Sequence, residues 1–510
     1  MTRRELLISA GTLAAAGPIP EAFSAPAGAG LDFIPALDAA AAIRAKRVSS
    51  LELTRHMLAR IERYNPQLNA FVYLMRERAL AQARQTDAAL ARGVRLGPFH
   101  GVPICVKESF AVQGEPDTWG IVAFKNTRAP ANAVAVQRLL QSGAILLGGT
   151  NVPLNLMDWQ SYNDIYGTTN NPWDLARTPG GSSGGSAAAL AAGLAYLSLG
   201  SDIGGSLRVP ASFCGIYSHK PTLDLVSLNG QVPGGAPGLP GFTTGLAVAG
   251  PLARSARDLM AALTVLGGPN GYRRKAWTWN LPPPRKRALK GFRIGYMFES
   301  SMAEPTTEVQ PVLERALRAL ERAGAKLAQG WPPGYDLGEA SRIYLLLLDA
   351  FNFSTEGAAA QARDRAIFRK NPKHPVAAGA LISYADWQQL HFRQLFYRAI
   401  WQRYFEQFDL FLMPASFTVA FPHDHQGDLF SRVIPTPAGN RPYMQMMPWM
   451  VTATLTGCPA TAMPIGQSSS RLPVGLQIMG PYWEDATPIE FARLFSEDIG
   501  GFSAPAGYGG

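Results

Sequence analysis

Apolar positions along the chain follow two different periods, and the change from one to the other marks out the elements. Ser49-Ser50-Leu51-Glu52 has a hydroxyl followed three residues later by a glutamate, the reciprocal start signal of a helix. Leu51, Leu53, Met57, Leu58 and Ile61 then give a broad apolar stripe. Residues 31 to about 93 read as helical on this basis. Pro103-Ile104-Cys105-Val106-Lys107 is instead a short continuous apolar run ending in a lysine, the pattern of a buried strand. A helix over 133–142 stops at Gly143, and Ala144–Gly148 reads as the next strand. The alternation returns later. Phe292–Tyr296 is strand-like, 306–323 carries a helical stripe ending at Gly324, 385–407 reads as a long aromatic helix, and Asp409–Pro414 is another apolar run. Strand–helix–strand order at these spacings predicts an α/β core. The Pro/Arg-rich segment 281–290 is the best candidate for a linker. Strands on both sides can join one sheet, so a single domain is expected.

Composition supports a large interior with long loops. Of 510 residues, 47% are hydrophobic and only 16% charged, with 51 glycines and 40 prolines. The formal charge is +10, but the basic residues are scattered and the densest run, Arg285-Lys286-Arg287, sits beside three prolines. That is the pattern of a solvated linker, so no nucleic-acid partner is expected. Cys105, Cys214 and Cys458 are too few and too dispersed for a disulfide framework or a zinc site. His423-Asp424-His425 is read as a polar loop, and no metal or other cofactor is expected. Arg3-Arg4 precedes a short uncharged stretch to Pro20, and Ala25-Pro26-Ala27 offers a cleavage site. Residues 1–27 are therefore read as a twin-arginine-type export signal, which predicts a periplasmic or secreted protein, with a cytoplasmic one as the alternative, whose remaining domain spans 28–510. No stretch is long and apolar enough to read as a stable membrane insertion.

The chemistry concentrates in two glycine–serine segments. Thr178-Pro179-Gly180-Gly181-Ser182-Ser183-Gly184-Gly185-Ser186 leads into an alanine-rich helix, and Gly200-Ser201-Asp202-Ile203-Gly204-Gly205-Ser206 follows an apolar run. Both are flanked by apolar segments, which disfavours a flexible linker. A phosphate loop requires Gly-Lys-Ser/Thr after the glycines, and none is present. Gly181–Gly185 matches G-x-S-x-G, but that elbow follows a strand, whereas 170–179 reads as loop. No lysine has a serine three positions before it, so the S-x-x-K arrangement is absent as well.

The stretch from Gly180 to about Thr222 resembles the amidase signature family, as do Gly101–Ser109, Asn170-Asn171-Pro172-Trp173 and Leu472–Pro481. The resemblance covers nearly the whole chain after its first residues. It implies a single α/β domain with a mixed sheet of about eleven strands enclosed by helices. It also implies that Lys107 is the catalytic base, Ser182 the relay and Ser206 the nucleophile, with the backbone amides of Ile203, Gly204, Gly205 and Ser206 forming an oxyanion hole. The residue chemistry alone does not choose between Ser182 and Ser183. A buried lysine can be uncharged at neutral pH and so activate a serine hydroxyl. Glu108, Asp117, Gly149 and Tyr217-Ser218-His219 depart from the commoner family pattern, which leaves substrate preference open. Asp202 and Arg208 read as a buried pair that shapes the nucleophile loop.

By the same alignment Leu156, Met157, Asp158 and Trp159 line the substrate channel. Trp387, Phe396, Tyr443, Met447 and Trp449 are candidates for an apolar pocket or for plain core. The expected partner is a small-molecule amide, with an apolar or aryl carboxamide as the first reading; the assembly is left open, with a homodimer among the options. Two alternatives stand beside it: a glutaminase like the A subunit of glutamyl-tRNA amidotransferase, and a non-catalytic binding protein on the same scaffold.

Overall fold

The computed structural model describes residues 30–94, 97–236, 244–372, 374 and 377–509. The export-signal reading of 1–27 lies outside them. The two strand-bearing regions of the sequence meet in one mixed sheet. Its eleven strands are β1 (Phe71–Leu74), β2 (Pro103–Lys107), β3 (Ile145–Thr150), β4 (Leu197–Asp202), β5 (Tyr217–Lys220), β6 (Val248–Ala253), β7 (Arg293–Tyr296), β8 (Lys326–Gln329), β9 (Leu410–Pro414), β10 (Ala460–Gln467) and β11 (Pro473–Met479). Across the sheet they run β1-β3-β2-β4-β6-β5-β10-β11-β9-β7-β8. β2 pairs in parallel with both β3 and β4, as does β7 with β8 and β9, and the remaining pairs are antiparallel. Strands 2, 3, 4, 5, 6, 9 and 11 are buried at every position, as expected of strands covered on both faces.

The region 31–93 is less uniform than its pattern predicts. It holds the helices Ala36–Arg44, Ser50–Leu68 and Arg76–Ala91, but Phe71–Leu74 between them leaves the helical path to pair as an edge strand with β3. Ser49 closes the capping box with Glu52 as the sequence suggests. The linker candidate 281–290 is tied down: Arg285 is salt-bridged to Glu484 and donates to the carbonyls of Phe405 and Phe408. Strands on either side of it share the sheet. Gly149, where the family pattern more often has lysine, has its missing side chain's space filled by the Tyr73 ring, 2.2 Å from an idealised Cβ. All three cysteines are free and buried. Among the described residues no helix is long and apolar enough to cross a membrane.

Two apolar clusters divide the interior. The larger surrounds the sheet. The second is rich in aromatic residues and gathers Trp159, Tyr344, Trp401, Tyr443 and Trp449 beside the end of β4. The helix Leu337–Thr355, which the sequence reading did not pick out, supplies one wall of this second cluster.

Candidate active site

Lys107 is the last residue of β2, and its side chain is fully buried. Its Nζ lies 2.6 Å from Ser182 Oγ and 3.0 Å from Ser201 Oγ. Burial disfavours the ammonium form and pulls the pKa down to about 7, against the opposing pull of the Asp202 carboxylate. Ser201 has no role assigned in the sequence reading. It stands at the penultimate position of β4, and the parallel pairing of β4 with β2 places the two strand ends side by side.

Ser182 precedes the helix Gly184–Ala191, and its peptide bond with Gly181 is cis. Ser161 Oγ clamps this turn by donating to the Gly180 carbonyl and accepting from the Gly184 amide, both at 3.1 Å. Ser182 therefore meets the lysine, whereas Ser183 faces the strand, its Oγ 3.3 Å from the Ser201 carbonyl. The Ser183 amide donates to the Ser206 carbonyl at 3.3 Å, which joins the two glycine–serine segments. The Ser206 side chain makes no hydrogen bond to Ser182 among the described residues.

The loop carrying Ser206 is built around Asp202. Its carboxylate accepts from the amides of Gly205 at 2.9 Å and Leu207 at 3.0 Å, and from Arg208 Nε and Nη2 at 3.0 and 2.8 Å. Both side chains of the pair are fully buried. Burial alone would raise the Asp202 pKa, but the Arg208 guanidinium and the two amides overcome it and hold the group at about 2. Arg208 also reaches the Met450 carbonyl, Gln477 and Thr454, so its donors are met without solvent.

These bonds decide which amides of the loop remain free. Trp159 Nε1 donates to the Gly204 carbonyl at 2.8 Å, and Tyr344 Oη donates to the Ile203 carbonyl at 3.0 Å. The Gly205 carbonyl accepts from the Val209 amide at 2.8 Å. Of the four amides the sequence assigns to an oxyanion hole, that of Gly205 is committed to Asp202. Those of Ile203, Gly204 and Ser206 have no protein acceptor among the described residues. Gly205 has φ +102°, and a Cβ there would come within 2.6 Å of Met450 Cγ and Sδ.

The predicted channel residues separate. Leu156 is partly exposed and Met157 is 46% exposed, at the rim. Trp159 is buried against the loop Ile203–Ser206. The Asp158 side chain is only 5% exposed and fully engaged, by Arg432 and Tyr443 at 2.5 Å each and by Tyr162 at 3.2 Å. Of the pocket candidates, Tyr443, Met447 and Trp449 are core, Phe396 is half exposed, and Trp387 lines a cavity of about 580 Å³. Leu246, Leu347, Phe351 and His391 share that cavity. It opens one turn along the helix from Tyr344. His423 and His425 have ring centroids 5.6 Å apart, and no group of three or more metal-ligating side chains occurs among the described residues.

Comparison with known proteins matches residues 52–488 to the family described as Amidase. The A subunit of glutamyl-tRNA(Gln) amidotransferase from Anaeromyxobacter dehalogenans is 31% identical over 495 residues, covering 92% of this chain and 96% of the relative. The same subunit from Thermus thermophilus is 33% identical, covering 88% and 94%. Among solved structures, 6-aminohexanoate cyclic dimer hydrolase complexed with substrate superposes with a TM-score of 0.76 at 25% identity, covering 94% of this chain and 99% of that one.

Proposed function

The chain belongs to the amidase signature family of amide carbon–nitrogen hydrolases, and on that premise we propose that it cleaves its amide through an acyl-enzyme on Ser206. The observation that carries the reading is the 2.6 Å contact between a fully buried Lys107 and Ser182, one loop away from Ser206. With Lys107 neutral, its lone pair accepts the Ser182 proton as Ser182 takes that of Ser206. Ser206 Oγ then bonds to the amide carbon. The carbonyl oxygen gains negative charge and is met by the free amides of Gly204 and Ser206, with Ile203 adjacent. Such donors are each worth about 3–4 kcal/mol in the transition state. Return of the proton through Ser182 lets the amine or ammonia leave as the C–N bond breaks, and water repeats the sequence to release the acid.

Two substrate readings have separate support. The curated relatives favour a glutaminase like the amidotransferase A subunit. The aromatic cluster that reaches the loop Ile203–Ser206 through Trp159 and Tyr344 favours an apolar or aryl carboxamide. The purified chain, supplied alone with glutamine and with a panel of aryl and alkyl amides, distinguishes them by ammonia or amine release. Turnover of glutamine only removes the apolar reading, and turnover of aryl amides without glutamine removes the other. A fluorophosphonate probe tests the nucleophile: wild type is labelled and Ser206→Ala is not. Labelling that survives Ser206→Ala overturns the assignment, and so does an unlabelled wild type.

A further inference from the structure

The loop Ile203–Ser206 works only if its peptide planes keep one orientation, and each plane has an identifiable restraint. In a trans peptide the C=O and the following N–H point in opposite directions, so anchoring one aims the other. The plane joining Gly205 and Ser206 is fixed by the Val209 amide on its carbonyl, at the start of a helix. The plane joining Gly204 and Gly205 is fixed at both ends, by Trp159 on the carbonyl and by Asp202 on the amide. The plane joining Ile203 and Gly204 has one anchor among the described residues, the Tyr344 hydroxyl on the Ile203 carbonyl. Its other end is the free Gly204 amide.

We propose that Tyr344 is a positioning residue for the reaction: by holding the Ile203 carbonyl, its hydroxyl aims the Gly204 amide at the developing oxyanion. This rests on the Ser206 reading above. Tyr344 is 1% exposed, and burial together with the Asp202 charge pushes its pKa well up, so the phenol remains a donor throughout the working range. The contact is also built into the loop sequence. A Cβ on Gly204 would lie 2.9 Å from the Tyr344 oxygen, so the phenol occupies space that only glycine leaves open.

The test uses phosphonylation of Ser206 by a fluorophosphonate, which needs no knowledge of the natural substrate. In that step Ser206 Oγ bonds to phosphorus, fluoride leaves with the P–F electron pair, and the serine proton passes to Lys107. The negative charge on the phosphoryl oxygen occupies the oxyanion position. Tyr344→Phe keeps the ring and removes only the donor. The maximal labelling rate is expected to fall about 10-fold, with the half-saturating probe concentration unchanged and the melting temperature within a few degrees of wild type. Installing 4-aminophenylalanine at 344 restores a donor and should recover most of the rate. Trp159→Phe, whose plane keeps its Asp202 anchor, should lose less. An undiminished rate in Tyr344→Phe overturns the proposal while leaving the nucleophile intact, as does a loss seen only in half-saturation or only on melting. An unlabelled wild type overturns the Ser206 reading, and this proposal with it.

Discussion

Lys107→Met separates what the lysine does for chemistry from what it costs the fold. In the folded protein Lys107 titrates near 7, whereas an ordinary lysine titrates at 10.5. At pH 7 about half of the molecules carry the neutral amine. An unshifted lysine would offer about 3 in 10,000, so burial gains about 10³ in competent base. The same shift is a stability penalty. Between pH 7 and 10.5 the unfolded chain binds a proton that the folded chain has lost, so wild-type stability rises with pH across that window, and the full penalty applies below it. At pH 7.5 the penalty is about 4 kcal/mol, from three pH units at about 1.4 kcal/mol each. Methionine removes it and forfeits the two bonds to Ser182 and Ser201, each worth about 1 kcal/mol. The variant should therefore be inactive yet more stable than wild type by about 2 kcal/mol at pH 7.5. This advantage shrinks as pH rises and reverses near pH 9, where the falling penalty equals the two bonds together at about 2 kcal/mol. Urea titrations from pH 6 to 10.5 measure it. Wild-type amide turnover should fall tenfold per unit below pH 7 and level off above it. Retained activity in the variant, or a wild-type stability whose pH slope matches that of Lys107→Met, refutes the reasoning.

Arg208→Met should leave the Asp202 carboxylate buried without its partner and cost about 3–5 kcal/mol at pH 7, read as a lowered urea midpoint. In wild type the stability contributed by Asp202 is complete above its unfolded pKa of 3.8 and is lost as pH falls toward 2, so acid unfolding should show that limb and the variant should not. Gly205→Ala combines a positive φ with a Met450 contact, and labelling of Ser206 should fall at least 100-fold for a stability loss of about 1–2 kcal/mol. Asp158→Asn should weaken the Arg432 bridge enough to open residues 423–432 to limited proteolysis, at a cost of about 2–3 kcal/mol by thermal melting.

Some of the molecule is written locally in the chain. The capping box at Ser49 and the apolar runs of β2, β7 and β9 need only their own residues to declare themselves, and the structure places them within a residue or two of that reading. The family resemblance adds the eleven-strand sheet, and that resemblance is what names Lys107, Ser182 and Ser206 as the candidate reacting groups. Other features have no local signature. Phe71–Leu74 reads as helix until β3 offers an edge, since pairing outweighs a weak propensity. Ser201 is one serine among many until the register of β4 against β2 sets it beside Lys107. The pairing of Asp158 with Arg432, 274 positions away, has no signal in the sequence around either residue. Tyr344 lies in a helix with no motif, 141 residues from the carbonyl it holds. The sequence by itself determined the fold class, because periodicity is a local property, and through the family resemblance it named the candidate reactive groups. The tertiary structure alone decided which amides stay free, which serine meets the lysine and how far that lysine's charge is suppressed, because each depends on burial and on partners brought together only when the sheet closes.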